Sequence, residues 1–249
     1  MALVLKAKST ARRVLDADAL FDSRAAALAL HRKHVLCLGD SHVHVLRHVR
    51  RRGVLFDVHP VKGATASGIL NPNSVTGALP LFTALLDRAR PWQHVLLHLG
   101  EVDCGFVIWH RAQRHGIPVE QQLAETVDAY AAFIASVHDR PLRSTAVLSA
   151  PLPTIADYPE EWGDVANMRR EVTATQAQRT DLTLRFNALV KERCDGLGIV
   201  YLDATTGQLD ARTGLLDATF VKRNSRNHHL RSGPYAALVE AELARARWP

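Results

Sequence analysis

"VLCLGDSHVHVL", residues 35–46, is the stretch on which the reading of the fold turns. Val35, Leu36, Cys37 and Leu38 form a short apolar run, which reads as a buried strand. Gly39 and Asp40 interrupt it, and a helical pattern resumes at once. Ser41 therefore stands on a strand-to-helix turn, where a serine has two uses. Its oxygen can accept from an orphan N–H of the first helical turn, or it can face a substrate from a sharp elbow.

Working outward, further apolar runs at 54–59, 94–99, 145–149 and 199–202 are strand candidates. Helical patterns near 42–51, 76–89, 119–138, 165–194 and 234–247 separate and follow them. The long fourth pattern stops at "DGLG" (195–198), a good C-terminal signal. Strands alternating with helices predict a mainly parallel five-stranded sheet covered on both faces, an α/β sandwich. One domain is expected over 1–249, with residues 1–31 as a helical leader containing "ADALFDSRAAALALHR".

Composition narrows the function classes. With 249 residues, 47% hydrophobic and 22% charged, the chain can bury a sizeable core. Net charge is +6, but the arginines are scattered apart from Arg47, Arg50, Arg51 and Arg52 in "RHVRRRG". That cluster reads as the cationic end of a helix. It lacks the reach and interleaved aromatics of a nucleic-acid stripe, so no nucleic-acid partner is expected. Cys37, Cys104 and Cys194 are widely spaced with no CxxC, which argues against a disulfide framework and fits a reducing compartment. "MALVLKAKSTARR" lacks the apolar stretch of about 7–15 residues of a secretory signal. No run reaches the roughly 18 apolar residues of a membrane span. A cytoplasmic location is the expectation.

In a parallel sheet the site forms at the carboxyl ends of the strands. The unusual residues fall there. "GDSHVH" follows the first strand and "HPVKGATASGILNPNS" the second. "HLGEVDCG" follows the third, and "KRNSRNHHLRSGP" precedes the last helix. These groups suit acyl transfer. A hydroxyl is a poor nucleophile at neutral pH, and a histidine with a pKa of about 6.5 can take its proton. A backbone N–H in a glycine turn can hold the oxyanion. Ser41, Gly63 and His228 or His229 supply these parts.

The blocks "GDSH", "GATA", "GEVD" and "HHL" resemble those of the SGNH (GDSL-like) hydrolases, over residues 34–232 or so. The resemblance implies a flavodoxin-like α/β/α sandwich and a serine esterase or acyltransferase, often acting on acylated carbohydrates, with no cofactor. It implies Ser41 as nucleophile, Gly63 as oxyanion donor and a late histidine as base. His229 is favoured because a small apolar residue, Leu230, follows it; His228 is the alternative. Asp40, Glu101, Asp103, Asn71 and Trp109 are the candidates for contacting or positioning a small-molecule or glycan ester. Glu101 and Asp103 also read as a structural pair that anchors loops.

Two departures from the family pattern stand out. The third block usually reads Gly-x-Asn-Asp with the asparagine on the oxyanion, and this chain has Val102 there. Losing such a donor costs about 10²–10³ in rate; Asn71 or Asn73 is the candidate replacement. No carboxylate precedes either histidine by three residues, since Ser225 and Arg226 occupy those places. A remote acid such as Asp203, or none, would then orient the imidazole. Two other readings stay open. One is a catalytically weak glycan- or acyl-binding protein. The other is a metal-dependent hydrolase built from Asp40, His42, His44, Asp103, His228 and His229. "CGFVIWHRAQRHG" (104–116) reads as a short helix whose Trp109 walls an acyl pocket or packs on the core, with Arg111 and Arg114 facing an anionic group. Tyr158 and Trp162 are candidates for a lid or a subunit contact.

Overall fold

A computed structural model describes residues 32–157, 172–223 and 227–249. The expected helical leader, Tyr158, Trp162, Ser225 and Arg226 lie outside the described residues. The strands are β1 (Lys33–Gly39), β2 (Val54–Pro60), β3 (His94–His98), β4 (Ser144–Leu148) and β5 (Val200–Leu202). They form one five-stranded sheet in the order β2-β1-β3-β4-β5. Every pairing is parallel. Among the described residues the α-helices are α1 (Ala78–Asp87), α2 (Ile108–His115), α3 (Val119–His138), α4 (Gln176–Leu197) and α5 (Ser232–Arg245). The fold is a flavodoxin-like three-layer α/β/α sandwich.

Alternation along the strands builds the two core layers. Leu36 and Leu38 of β1 and Leu97 of β3 pack with Phe82, Tyr130 and Phe186 from α1, α3 and α4. Val35 and Cys37 point the other way, into a second cluster with Leu46, Tyr235 and Val239. Residues i and i+2 of a strand share a face, so one continuous apolar run serves both layers. Each fully buried leucine is worth about 1.5–3 kcal/mol. α4 opens with a capping box in which Thr175 and Gln178 satisfy each other's backbone N–H. It ends on Gly198 at φ 67°, the left-handed cap that "DGLG" announces.

The segment after β1 departs from expectation. It is a 3-10 helix, Ser41–Arg47, rather than an α-helix running to residue 51. Its buried residues are His42, Val43, Val45 and Leu46. Arg50, Arg51 and Arg52 consequently fall in the connection to β2. The helical turns around Phe106 and Trp109 also differ from the sequence reading: a π-turn, Asp103–Val107, runs straight into α2.

Gly39, the last residue of β1, is required for space. A Cβ there would lie 2.2 Å from the His98 carbonyl oxygen and 3.0 Å from the Val43 Cβ. Gly39→Ala is expected to lower the unfolding free energy by about 3 kcal/mol or more, because backbone must move to relieve the overlap. Gly53 has φ +75° but open space around its missing Cβ. Gly53→Ala should cost only about 1–2 kcal/mol of left-handed strain. Urea unfolding of both variants measures the contrast, and equal costs would refute the crowding at Gly39.

Candidate active site

β1 lies between β2 and β3, so the connections leaving it and entering β3 diverge to opposite sides of the sheet. The crevice outside the carboxyl ends of β1 and β3 is the topological switch point, where α/β sheets bind ligands. Ser41 is the second residue past the end of β1. It does not cap its own helix. Asp40 does: its carboxylate Oδ1 accepts from the His42 N–H at 2.7 Å. With the capping role taken, the Ser41 hydroxyl is turned to another partner, His229 Nε2, at 2.8 Å.

His229 is held from behind by Asn227. The Asn227 Oδ1 accepts from the His229 backbone N–H at 3.1 Å. The same oxygen lies 3.1 Å from His229 Nδ1. An atom that accepts from a backbone N–H must be the amide oxygen, and an oxygen can only accept from the ring. The proton is therefore on Nδ1, and the Nε2 lone pair faces the Ser41 hydroxyl. Asp203, the remote acid named as one alternative to a dyad, is elsewhere: its carboxylate caps the turn at Thr205 and Thr206. Burial, then His42, His228 and Lys222 close by, push the His229 pKa down to about 3, against a smaller opposing effect of Glu101. Its resting form at neutral pH is the neutral imidazole.

The carboxylates expected at the rim are structural anchors. Asp103 is fully buried and accepts from the Ala66 N–H at 2.7 Å and the Ser67 N–H at 3.0 Å. It thereby ties the loop after β2 to the end of β3. Gly63 sits at the start of that loop with φ 74°, a left-handed turn. The loop is also pinned to the serine turn, because the Val61 N–H donates to the Gly39 carbonyl at 2.8 Å. Glu101 is buried with its carboxylate 3.8 Å from His42 Nδ1, and Asp40 lies 3.0 Å from that nitrogen. The His42 ring is 4.7 Å from that of His229 and 5.7 Å from that of His228, centre to centre.

A cavity of about 180 Å³ opens on Ser41 and His229, with Val45, Leu230 and Tyr235 as its apolar wall and His44 and Lys222 at its edge. Gly63, Asn71, Glu101, Asp103 and Trp109 do not line it. Asn71 is exposed, and its side chain accepts from the Asn73 N–H in a tight turn, so neither asparagine replaces the oxyanion donor missing at Val102. Trp109 packs on the core and donates to the Cys104 carbonyl at 2.9 Å, on the face occupied by α3 and α4. It walls no acyl pocket at Ser41. Likewise Arg111 and Arg114 on α2 are not the cavity's cations; Lys222 is, its pKa lowered by burial.

Asn227 and Lys222 are the residues that sequence reasoning missed. The family pattern places the orienting group three residues before the histidine. An Asx turn, in which an asparagine bonds the backbone two residues on, sets the spacing here to two. "NHH" was the available signal.

No protein-family model matches the sequence, and a search of curated proteins finds no match. Solved structures share the fold. A Streptococcus pneumonia protein provisionally described as a platelet activating factor aligns with a TM-score of 0.57 and 16% identity, over 98% of each chain. Axe2, an acetylxylan esterase from Geobacillus stearothermophilus, aligns with a TM-score of 0.50 and 12% identity, over 86% of this chain and 93% of its own. Axe2 structures with catalytic serine and aspartate residues replaced by alanine match comparably, at TM-scores of 0.50 and 0.51.

Two buried groups at the site give stability opposite pH dependences. Burial pushes His98 down to about 4. The unfolded histidine binds its proton near 6.5, so this stabilisation is complete above about pH 6.5 and is lost as pH falls toward 4. Burial pushes Asp103 up to about 6, against the two amide donors. The native carboxyl thus protonates before the unfolded one, and its contribution is lost as pH rises through 6. Asp103→Asn removes only the second effect. Its unfolding free energy should fall on acidification from pH 6 to 4 more steeply than the parent's, by up to about 1.4 kcal/mol per pH unit. Urea titrations at pH 4, 5 and 6 measure this; parallel slopes would mean that Asp103 stays ionised throughout.

Proposed function

We propose that this chain is a serine-dependent acyl-ester hydrolase of the SGNH type, acting on short acyl groups such as acetyl carried by a carbohydrate. One observation carries the reading: the Ser41 hydroxyl lies 2.8 Å from a His229 nitrogen whose tautomer Asn227 fixes for proton acceptance. Nucleophile, base and orienting group in hydrogen-bonded series are the signature of an activated hydroxyl. The cavity favours small groups, since pockets for larger ligands run to about 300–1,000 Å³. The fold shared with an acetylxylan esterase supports an acylated sugar as substrate.

In the first step His229 Nε2 takes the hydroxyl proton as Ser41 Oγ bonds to the ester carbonyl carbon. The Ser41 backbone N–H receives the developing oxyanion. Collapse of the tetrahedral intermediate breaks the ester C–O bond, and the imidazolium gives its proton to the departing alcohol. Water then repeats the sequence on the acyl-serine, releasing the acid and restoring the Ser41 hydroxyl. The steps need no cofactor. Asn227 keeps the imidazole in the right tautomer but brings no negative charge, so the imidazolium is less stabilised than beside a carboxylate.

The test is labelling with a fluorescent fluorophosphonate, with hydrolysis of 4-nitrophenyl acetate and acetylated xylo-oligosaccharides followed in parallel. An adduct on the 35–46 peptide is expected, absent in Ser41→Ala, whose esterase rate should drop at least about 10³-fold. Asn227→Ala should lower kcat by about 10–10²-fold, part of the 10²–10⁴ a general base supplies. Asn227→Asp should raise it, because the carboxylate stabilises the imidazolium in the same geometry. A folded protein that takes no adduct and cleaves neither ester would instead be a glycan- or acyl-binding module on this fold.

A further inference from the structure

Three histidines crowd the serine, two more than acyl transfer uses. One ring nitrogen from each of His42, His228 and His229 lies within 4.8 Å of those of the other two. Ring centres are 4.1 Å apart for His228 and His229 and 4.7 Å apart for His42 and His229. We propose that these three imidazoles form a binding site for a late first-row divalent cation of the Zn²⁺ class, and that occupation takes His229 away from Ser41 and silences the esterase.

The ligand set fits such an ion and excludes the hard ones. Three neutral imidazoles suit zinc, copper and nickel, whereas Mg²⁺ and Ca²⁺ require oxygen ligands. Three histidines with one open position is an established zinc arrangement. Zn–N bonds of about 2.0–2.1 Å set tetrahedral ligand nitrogens about 3.4 Å apart, so the rings must draw together by little more than an ångström.

The supporting shell is that of a metal site. A ligand histidine gives its other ring N–H to a carboxylate or carbonyl, which fixes its orientation and raises its donor strength. Asp40 meets His42 Nδ1 at 3.0 Å, and the Asn227 oxygen meets His229 Nδ1 at 3.1 Å. Asp40 and Glu101, both buried beside His42, supply negative charge for a dication, against the opposing charge of Lys222. The metal and the Ser41 proton compete for the same lone pair on His229 Nε2. Binding is therefore inhibitory, and this half of the proposal rests on the esterase reading above.

The experiment is equilibrium dialysis of the full, tag-free chain against micromolar ZnCl₂, with bound metal counted by plasma mass spectrometry. One equivalent is expected, with affinity weakened at least about tenfold in His228→Ala and in His42→Gln, and retained in Ser41→Ala. No stoichiometric uptake, or uptake indifferent to both histidine substitutions, overturns the site. Fluorophosphonate labelling of the parent with and without Zn²⁺ reads the second half. Protection of Ser41 by Zn²⁺, relieved by a chelator, is expected, and undiminished labelling of the zinc-loaded protein overturns the inhibition. If Ser41 takes no adduct even in metal-free protein, the esterase reading and the inhibition built on it fail together, while the metal count still decides the site.

Discussion

The backbone of Gly39 passes so close to the carbonyl of His98 that only a missing side chain permits it. That contact sets the distance between β1 and β3 at their carboxyl ends, and the Asp40 N–H closes it by donating to the same oxygen at 3.2 Å. Everything in the candidate site is aimed from there. Asp40 is brought to the mouth of the short helix, where it caps and frees the serine. The Gly39 carbonyl in turn receives the Val61 N–H, so the loop after β2 is hung on the same residue. Asp103 completes the frame from β3, fixing that loop through two amides at the cost of burying a carboxylate.

The sheet was legible because its signal is local. Five apolar runs, each long enough to be buried on both faces, can form little other than parallel strands, and all five are strands in the structure. The boundaries were less so: β1 begins at Lys33, two residues before the apolar run, because pairing with β2 extends as far as Val54. The 3-10 helix was misread for a physical reason. Apolar residues at spacings of three and four look alike in a window of ten, and the buried Val43, Val45, Leu46 and Val49 contain both.

The site was legible in its types and not in its distances. A serine on a strand-to-helix turn and a histidine before the last helix announce themselves, since no bland structural role needs both at strand ends. What joins them is invisible in the chain: Ser41 and His229 are 188 residues apart. Asn71 and Trp109 were drawn toward the site by type alone. An exposed Asx turn absorbs the first and the core absorbs the second, the ordinary uses of those residues. Asn227 was overlooked for the opposite reason, because an amide was not expected in a place where the chemistry asks for charge.

That amide makes sense beside its neighbours. Its oxygen accepts from the His229 backbone, from the His229 ring and from Lys222 Nζ at 3.4 Å. A neutral oxygen serves all three donors and leaves the imidazole uncharged at rest. Burial lowers the proton affinity of His229 most, and a proton there would also put a cation next to His42, His228 and Lys222. The same crowding carries no such penalty for a neutral ring that donates a lone pair. A metal ion brings its own positive charge but is met by several imidazoles at once, whereas a proton is met by one and repelled by the rest. A cluster that resists protons and a cluster that suits a metal are therefore one arrangement seen from two sides. The transition state of acyl transfer resembles the second more than the first, because the proton arriving on His229 comes paired with a negative oxygen beside it.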